Sequence, residues 1–188
     1  MHEATDRLLR EVTRRTERAI HDRDCPAITA LQGDRKLLLS DYDYLRDEPT
    51  AEAFEHRAAA RAREIYTVRF VFAVPQVWLF TDETIYGRAV ANLPLHEGEQ
   101  ELVVWTAFDL EEGVDYGYLP YARRPGGEPA FDEEDQMVIT IPTRPKGNYP
   151  GFHLLQDLMQ DGWRPLRDAI PVRVELRSLM VVEVVQYR

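Results

Sequence analysis

The chain has 188 residues, of which 44% are hydrophobic and 30% charged, with a formal net charge of −10. That length sustains one ordinary domain, burying roughly 70% of its unfolded surface without a metal or disulfide staple, and the composition excludes a disordered chain. No run approaches the ~18 apolar residues of a membrane span, no basic-then-apolar leader opens the sequence, and Cys25, the single cysteine, excludes an internal disulfide. A soluble protein of a reducing, cytoplasmic compartment is expected.

The acid is unevenly placed. Residues 65–122 carry nine acidic against two basic side chains, a net of −7, whereas residues 1–25 balance at six of each. A surface of that sign repels phosphate backbones, which argues against nucleic-acid binding without a local basic patch. The 21 Arg against two Lys (Lys36 and Lys146) read as coding bias.

Residues 3–22 read as an amphipathic helix, with Thr5, Leu9, Val12, Thr16 and Ala19 at 4-3-4-3 spacing and Leu8 and Ile20 widening the stripe. Acid-first pairs four apart (Glu3 to Arg7, Asp6 to Arg10, Glu11 to Arg15) support it. Such a narrow seam needs a partner surface: the body of the protein, or a second copy of the helix. Asp24-Cys25-Pro26 ends it. Leu37, Leu38 and Leu39 form a short buried strand or helical turn, and Pro49 and Thr50 open a second helix to about Glu64. On that helix Ala51, Phe54, Ala58, Ala62 and Ile65 share one face, and acids early with arginines late suit the helix dipole.

From Ile65 the period changes to two. Tyr66 to Val74 alternates with apolar residues on both faces, which predicts a doubly buried strand. A further strand or bulge follows at Val77–Phe80 beyond Pro75. Thr84–Ala91, Glu101–Leu110 and Val114–Tyr121 follow with short polar connections, which favour antiparallel neighbours. Pro125-Gly126 suggests a type II turn, Asp132–Asp135 a solvated loop, and Met137–Ile141 a strand. Pro150–Gln160 reads as a helix capped at its end by Gly162. The last segment, from Val172 to Val185, is long for one strand and predicts a bulge. The expected fold is α+β: a mainly antiparallel meander of about six to seven strands packed with two or three helices. In domain terms, an N-terminal helix (1–25) precedes a single α+β domain (26–188).

Few patterns carry chemistry. Ser40 and Ser178 are the only serines, neither in a nucleophile elbow, and Cys25 would act as a nucleophile only if a histidine folds onto it. The five histidines (His2, His21, His56, His96, His153) show no pair at helical ligand spacing, so no metal site, cofactor or catalytic set is assigned. Asp41 to Glu52 fails as a calcium loop, because Leu45 and Arg46 stand where an oxygen ligand and a glycine are needed. The basic loop Thr143–Gly151 runs into a predicted helix. Arg144 and Lys146, with Asn148 capping the helix, are therefore candidate anion ligands.

The aromatic residues carry the leading functional expectation. Trp105, Tyr116, Tyr118 and Tyr121, with Asp115, fall on adjacent predicted strands and resemble an interface hot-spot surface rimmed by acid. The expected function is a non-enzymatic interaction module, of inhibitor, immunity, regulatory or assembly type, that offers this sheet to a basic protein. A second expectation is a small-molecule-binding or enzymatic domain with a pocket between helix and sheet. Its candidates are His56, His96, His153, Arg144, Lys146 and Tyr149, with Asp41 and Asp43 as bases. A third is a homo-oligomeric subunit joined through residues 3–22.

Overall fold

The computed structural model describes residues 1–81, 85–90, 94–131, 139–141, 149–160 and 184–186. The first helix, α1 (Glu3–His21), forms where the 4-3-4-3 pattern placed it, and its seam of Leu8, Leu9, Val12 and Ile20 is buried. Two strands follow, β1 (Ala27–Gln32) and β2 (Lys36–Asp41), paired antiparallel. The Leu37–Leu39 run is thus the half-exposed strand β2 rather than a buried element. Helix α2 (Glu48–Glu64) begins at Asp47, whose side chain accepts from Thr50 N, with Pro49 in the first turn.

Strand β3 (Arg69–Phe80) is continuous through Pro75 and pairs with β5 (Glu99–Asp109) along its length. On its other side β3 pairs first with β1, through Ala73, and then with β4 (Ile85–Ala89), from Gln76. Pro75 therefore sits where the neighbour changes, an interval in which a missing N–H is tolerated. Strand β6 (Gly113–Pro120) pairs with β5, and the short β7 (Ala122–Arg123) and β8 (Pro129–Ala130) form a small hairpin of their own. In that hairpin the positive φ belongs to Gly127 and not Gly126. The turn at Pro125 is thus followed by a left-handed glycine instead of being type II. Strand β9 (Ile139–Ile141), helix α3 (Phe152–Gln160) and strand β10 (Val184–Gln186) complete the described elements. The main sheet runs β10-β4-β3-β5-β6-β9, with β1 and β2 continuing beside β3. The pairings are antiparallel except β10 with β4. The solvated loop at 132–135, the cap at Gly162 and the bulge near Ser178 lie outside the described residues.

Period-two alternation in β3 and β5 builds two cores, one on each face of the sheet. Phe70, Phe72, Val74, Leu102, Val104 and Phe108 face α2 and α3, and Phe54, Ala58, Ala62, Leu154 and Leu158 close that core. Val71, Ala73, Val103, Trp105 and Ala107 face α1 and meet Leu8, Leu9, Val12 and Ile20. The alanines of α2 permit close approach to the sheet, as the sequence pattern required. A buried polar tether also fixes α1. Thr5 Oγ1 donates to Asp109 Oδ2 at 2.7 Å, and Arg69 Nε donates to the same oxygen at 3.0 Å. The apolar seam of α1 is satisfied within its own chain, so self-association through residues 3–22 would have to use the polar face. That face carries Arg7, Arg10 and Arg15 paired with Glu3, Asp6 and Glu11.

Candidate site on the seam between helices α2 and α3

Glu55 lies on the face of α2 that meets α3, only 2% exposed. A carboxylate there must be bonded or it would cost several kcal/mol, and it has four donors. Oε1 accepts from Tyr44 Oη at 2.6 Å and Gly151 N at 2.9 Å, while Oε2 accepts from His153 N at 2.7 Å and Leu154 N at 3.3 Å. The last three are backbone N–H groups at the start of α3, which the helix itself cannot satisfy. Glu55 is thus an N-terminal cap supplied by another helix, and its charge also complements the α3 dipole. Burial pushes the Glu55 carboxyl up, while the bonds from Tyr44, Gly151, Leu154 and His153 pull it down; burial prevails.

The N–H groups assigned to an external anion are held by an internal one, the Glu55 carboxylate; Arg144, Lys146 and Asn148 lie outside the described residues. Gly151, immediately before α3, has φ +84°, and a Cβ there would stand 3.2 Å from the Phe72 ring. Glycine is therefore required for the chain to turn into α3 against the sheet.

One turn outward from Glu55, four polar side chains meet. His56 sits between two carboxylates, with Nδ1 2.6 Å from Asp157 Oδ2 on α3 and Nε2 3.3 Å from Glu52 Oε1 on α2. The His153 ring lies beside it, 5.7 Å between centroids. Side-chain atoms of Glu52, His56 and His153 able to bind a metal all lie within 4.8 Å of one another. The His56 and Glu52 side chains are 46% and 47% exposed, so the cluster opens to solvent. The bond to Asp157 raises the His56 imidazole above its ordinary value; desolvation opposes it, and the bond to Glu52 adds a smaller push upward. Two imidazoles and two carboxylates at one place are the donor types that could hold a proton or a small cation.

The helical spacing of this cluster is present in the sequence. Glu52 and His56 are four apart on α2, and His153 and Asp157 four apart on α3, so each helix offers one acid and one imidazole on one face. A search for paired histidines overlooks this, because the partner of each histidine is an acid and the helices meet only through the fold.

Other candidates separate. Trp105 (0% exposed) and Tyr121 (5%) belong to the core beneath α1, whereas Tyr116 (9%) belongs to the opposite core. The register explains the split: Thr106 stands opposite Tyr116 and Trp105 opposite Gly117, so the indole and the phenol point to opposite faces. Tyr118 is partly buried against the Tyr116 side, its ring 5.4 Å from Trp78, and Asp115 is partly exposed. These five residues do not share a surface. The Tyr149 hydroxyl is buried and donates to the carbonyls of Gly117 and Trp105 at 2.9 and 3.2 Å. His96 is exposed beside Glu99, between β4 and β5. Asp41 accepts from Arg57 Nη2 at 2.7 Å and from Asp43 N, and among the described residues neither acid pairs with a histidine. Burial raises the Cys25 thiol, opposite to the shift a nucleophile needs.

Among the described residues no helix is long and apolar enough to cross a membrane. No protein-family model, no curated protein and no solved structure matches this chain.

Proposed function

We propose that this chain is a cation-binding α+β domain whose working site is the α2–α3 seam. The observation that carries the reading is the convergence of Glu52, His56, His153 and Asp157 on two helices locked together by the buried Glu55 carboxylate. With both imidazoles neutral the four side chains carry two negative charges, which draw an arriving cation to the seam. The backbone beneath is preorganised, because Glu55 fixes where α3 begins and therefore where His153 and Asp157 stand.

The interaction-module reading draws less support. It required aromatic rings at the surface, and three of its four rings lie in the two cores. Some of the central acid is also neutralised internally: Glu99 is bonded to Arg88, Glu101 to Arg123 and Asp109 to Arg69. A basic partner would meet the remaining acids.

The test is a titration of the histidine side-chain NMR resonances with a panel of small cations: Mg2+, Ca2+, Zn2+ and a polyamine. Saturable shifts at His56 and His153, with His96 unmoved, are expected from at least one of them. If no cation moves the seam histidines more than His96, the reading is wrong.

A further inference from the structure

We propose that the seam holds a divalent ion of the zinc class, bound by a Glu52 carboxylate oxygen, His56 Nε2 and a ring nitrogen of His153, with Asp157 as the outer partner of His56. The inference rests on the reading of the seam as a cation site and adds the class of ion.

Geometry comes first. Around a tetrahedral ion with metal–ligand bonds of about 2.0–2.2 Å, neighbouring ligand atoms stand about 3.3–3.5 Å apart. Glu52 Oε1 and His56 Nε2 are already 3.3 Å apart. One ligand atom from each of Glu52, His56 and His153 lies within 4.8 Å of the others. Closing such a set to tetrahedral spacing takes about 1.5 Å, within reach of rotamer adjustment by the exposed Glu52 and His56 and the part-buried His153 on fixed helices.

Chemistry selects the ion. Two imidazoles with one carboxylate suit zinc, cobalt and nickel, whereas magnesium and calcium require shells of oxygen. Asp157 engages His56 Nδ1 at 2.6 Å. That bond places the neutral ring's proton on Nδ1 and presents the Nε2 lone pair toward Glu52, the carboxylate–imidazole–metal arrangement of bound zinc. Three protein ligands leave a fourth position to water on the open side of the seam.

The competing occupant is a proton. An imidazolium at His56 satisfies Glu52 and Asp157 equally well, but it gives His153 no part, whereas an ion needs His153 as its third ligand. His153 therefore distinguishes the two.

The experiment is isothermal titration of the full chain, free of any histidine tag, with zinc chloride, alongside Co2+ titration followed by visible absorption. One zinc per chain is expected, with cobalt bands of the intensity of a four- or five-coordinate ion, and no heat from magnesium or calcium. Glu52→Gln and His153→Gln should each weaken zinc at least about tenfold, and Asp157→Asn by about 10–100-fold, as removal of an outer partner does. His96→Gln should change nothing. Circular dichroism of each variant checks the fold, and the exposed Glu52→Gln substitution keeps the test valid if His153→Gln unfolds. Absence of zinc binding, or binding that survives both Glu52→Gln and His153→Gln, overturns the proposal. If magnesium, calcium or the polyamine shifts the seam histidines while zinc does not, the ion class is wrong and the cation site stands. Silence from every cation removes both.

Discussion

Replacing Glu55 with glutamine tests the buttress beneath the site. The side chain keeps its size, so the effect is confined to hydrogen bonding and charge. Oε2 faces two N–H donors, His153 and Leu154, so the amide oxygen takes that side. The NH2 group then faces Tyr44 Oη, which can rotate to accept, and Gly151 N–H, which cannot. One buried N–H is left without an acceptor, at about 1–3 kcal/mol, and the three remaining charge-assisted bonds become neutral ones, at up to about 1 kcal/mol each. Relief from burying a charge offsets part of this. A net loss of about 2–3 kcal/mol is expected, a large share of a typical 5–15 kcal/mol total. Urea unfolding at pH 7 should show a lower midpoint with an unchanged slope, and amide hydrogen exchange in α3 should accelerate more than in β3 or β5. Stability within about 0.5 kcal/mol of the parent, with α3 protection intact, would refute the assignment of Glu55 as the cap of α3.

Other consequences are independent of the seam. Arg88 grips Glu99 with two bonds, at 2.8 and 2.6 Å, and holds its carboxyl down to about 2. A depressed carboxyl contributes stability that is complete above pH 4.5 and lost as pH falls toward 2. Glu99→Gln should therefore show a shallower loss of melting temperature between pH 4.5 and 2 than the parent, and equal slopes would contradict the pairing. Tyr66 adopts φ +50° just after α2 and is 59% exposed. Tyr66→Gly should stabilise the protein by about 0.5–1 kcal/mol in the same urea assay, by releasing left-handed strain without losing core contacts; a destabilised variant would count against that account. Leu9 is fully buried between α1 and the sheet, so Leu9→Ala should cost about 2–5 kcal/mol. A loss below about 1 kcal/mol would mean that α1 is an appendage and not one layer of the fold.

Most of the architecture was readable because periodicity records burial. The seam of α1, the small face of α2 and the doubly apolar β3 each appear in the sequence as patterns that the two cores require. Pro75 obscured the continuity of β3, since a proline reads as a break, and only the change of neighbour from β1 to β4 shows why it is tolerated. The aromatic cluster misled for a related reason. Alternation states that Trp105 and Tyr116 lie on faces, but the register between β5 and β6 decides whether those faces agree, and register depends on the turn. Glu55 was invisible as a core residue, because a glutamate among alanines on a helix reads as solvated until its distant donors are known. His56 and His153 lie 97 positions apart, and nothing local announces that α3 docks beside α2. The acid–imidazole spacing on each helix was legible, whereas the meeting of the two helices was not.

The central claim is that the paired helices converge on an ion. Crystals grown with zinc and measured on either side of its absorption edge test this directly. The account predicts an anomalous peak about 2 Å from Glu52, His56 Nε2 and His153, with Asp157 still on His56 Nδ1. A seam without that peak, or zinc bound only elsewhere on the chain, would contradict it.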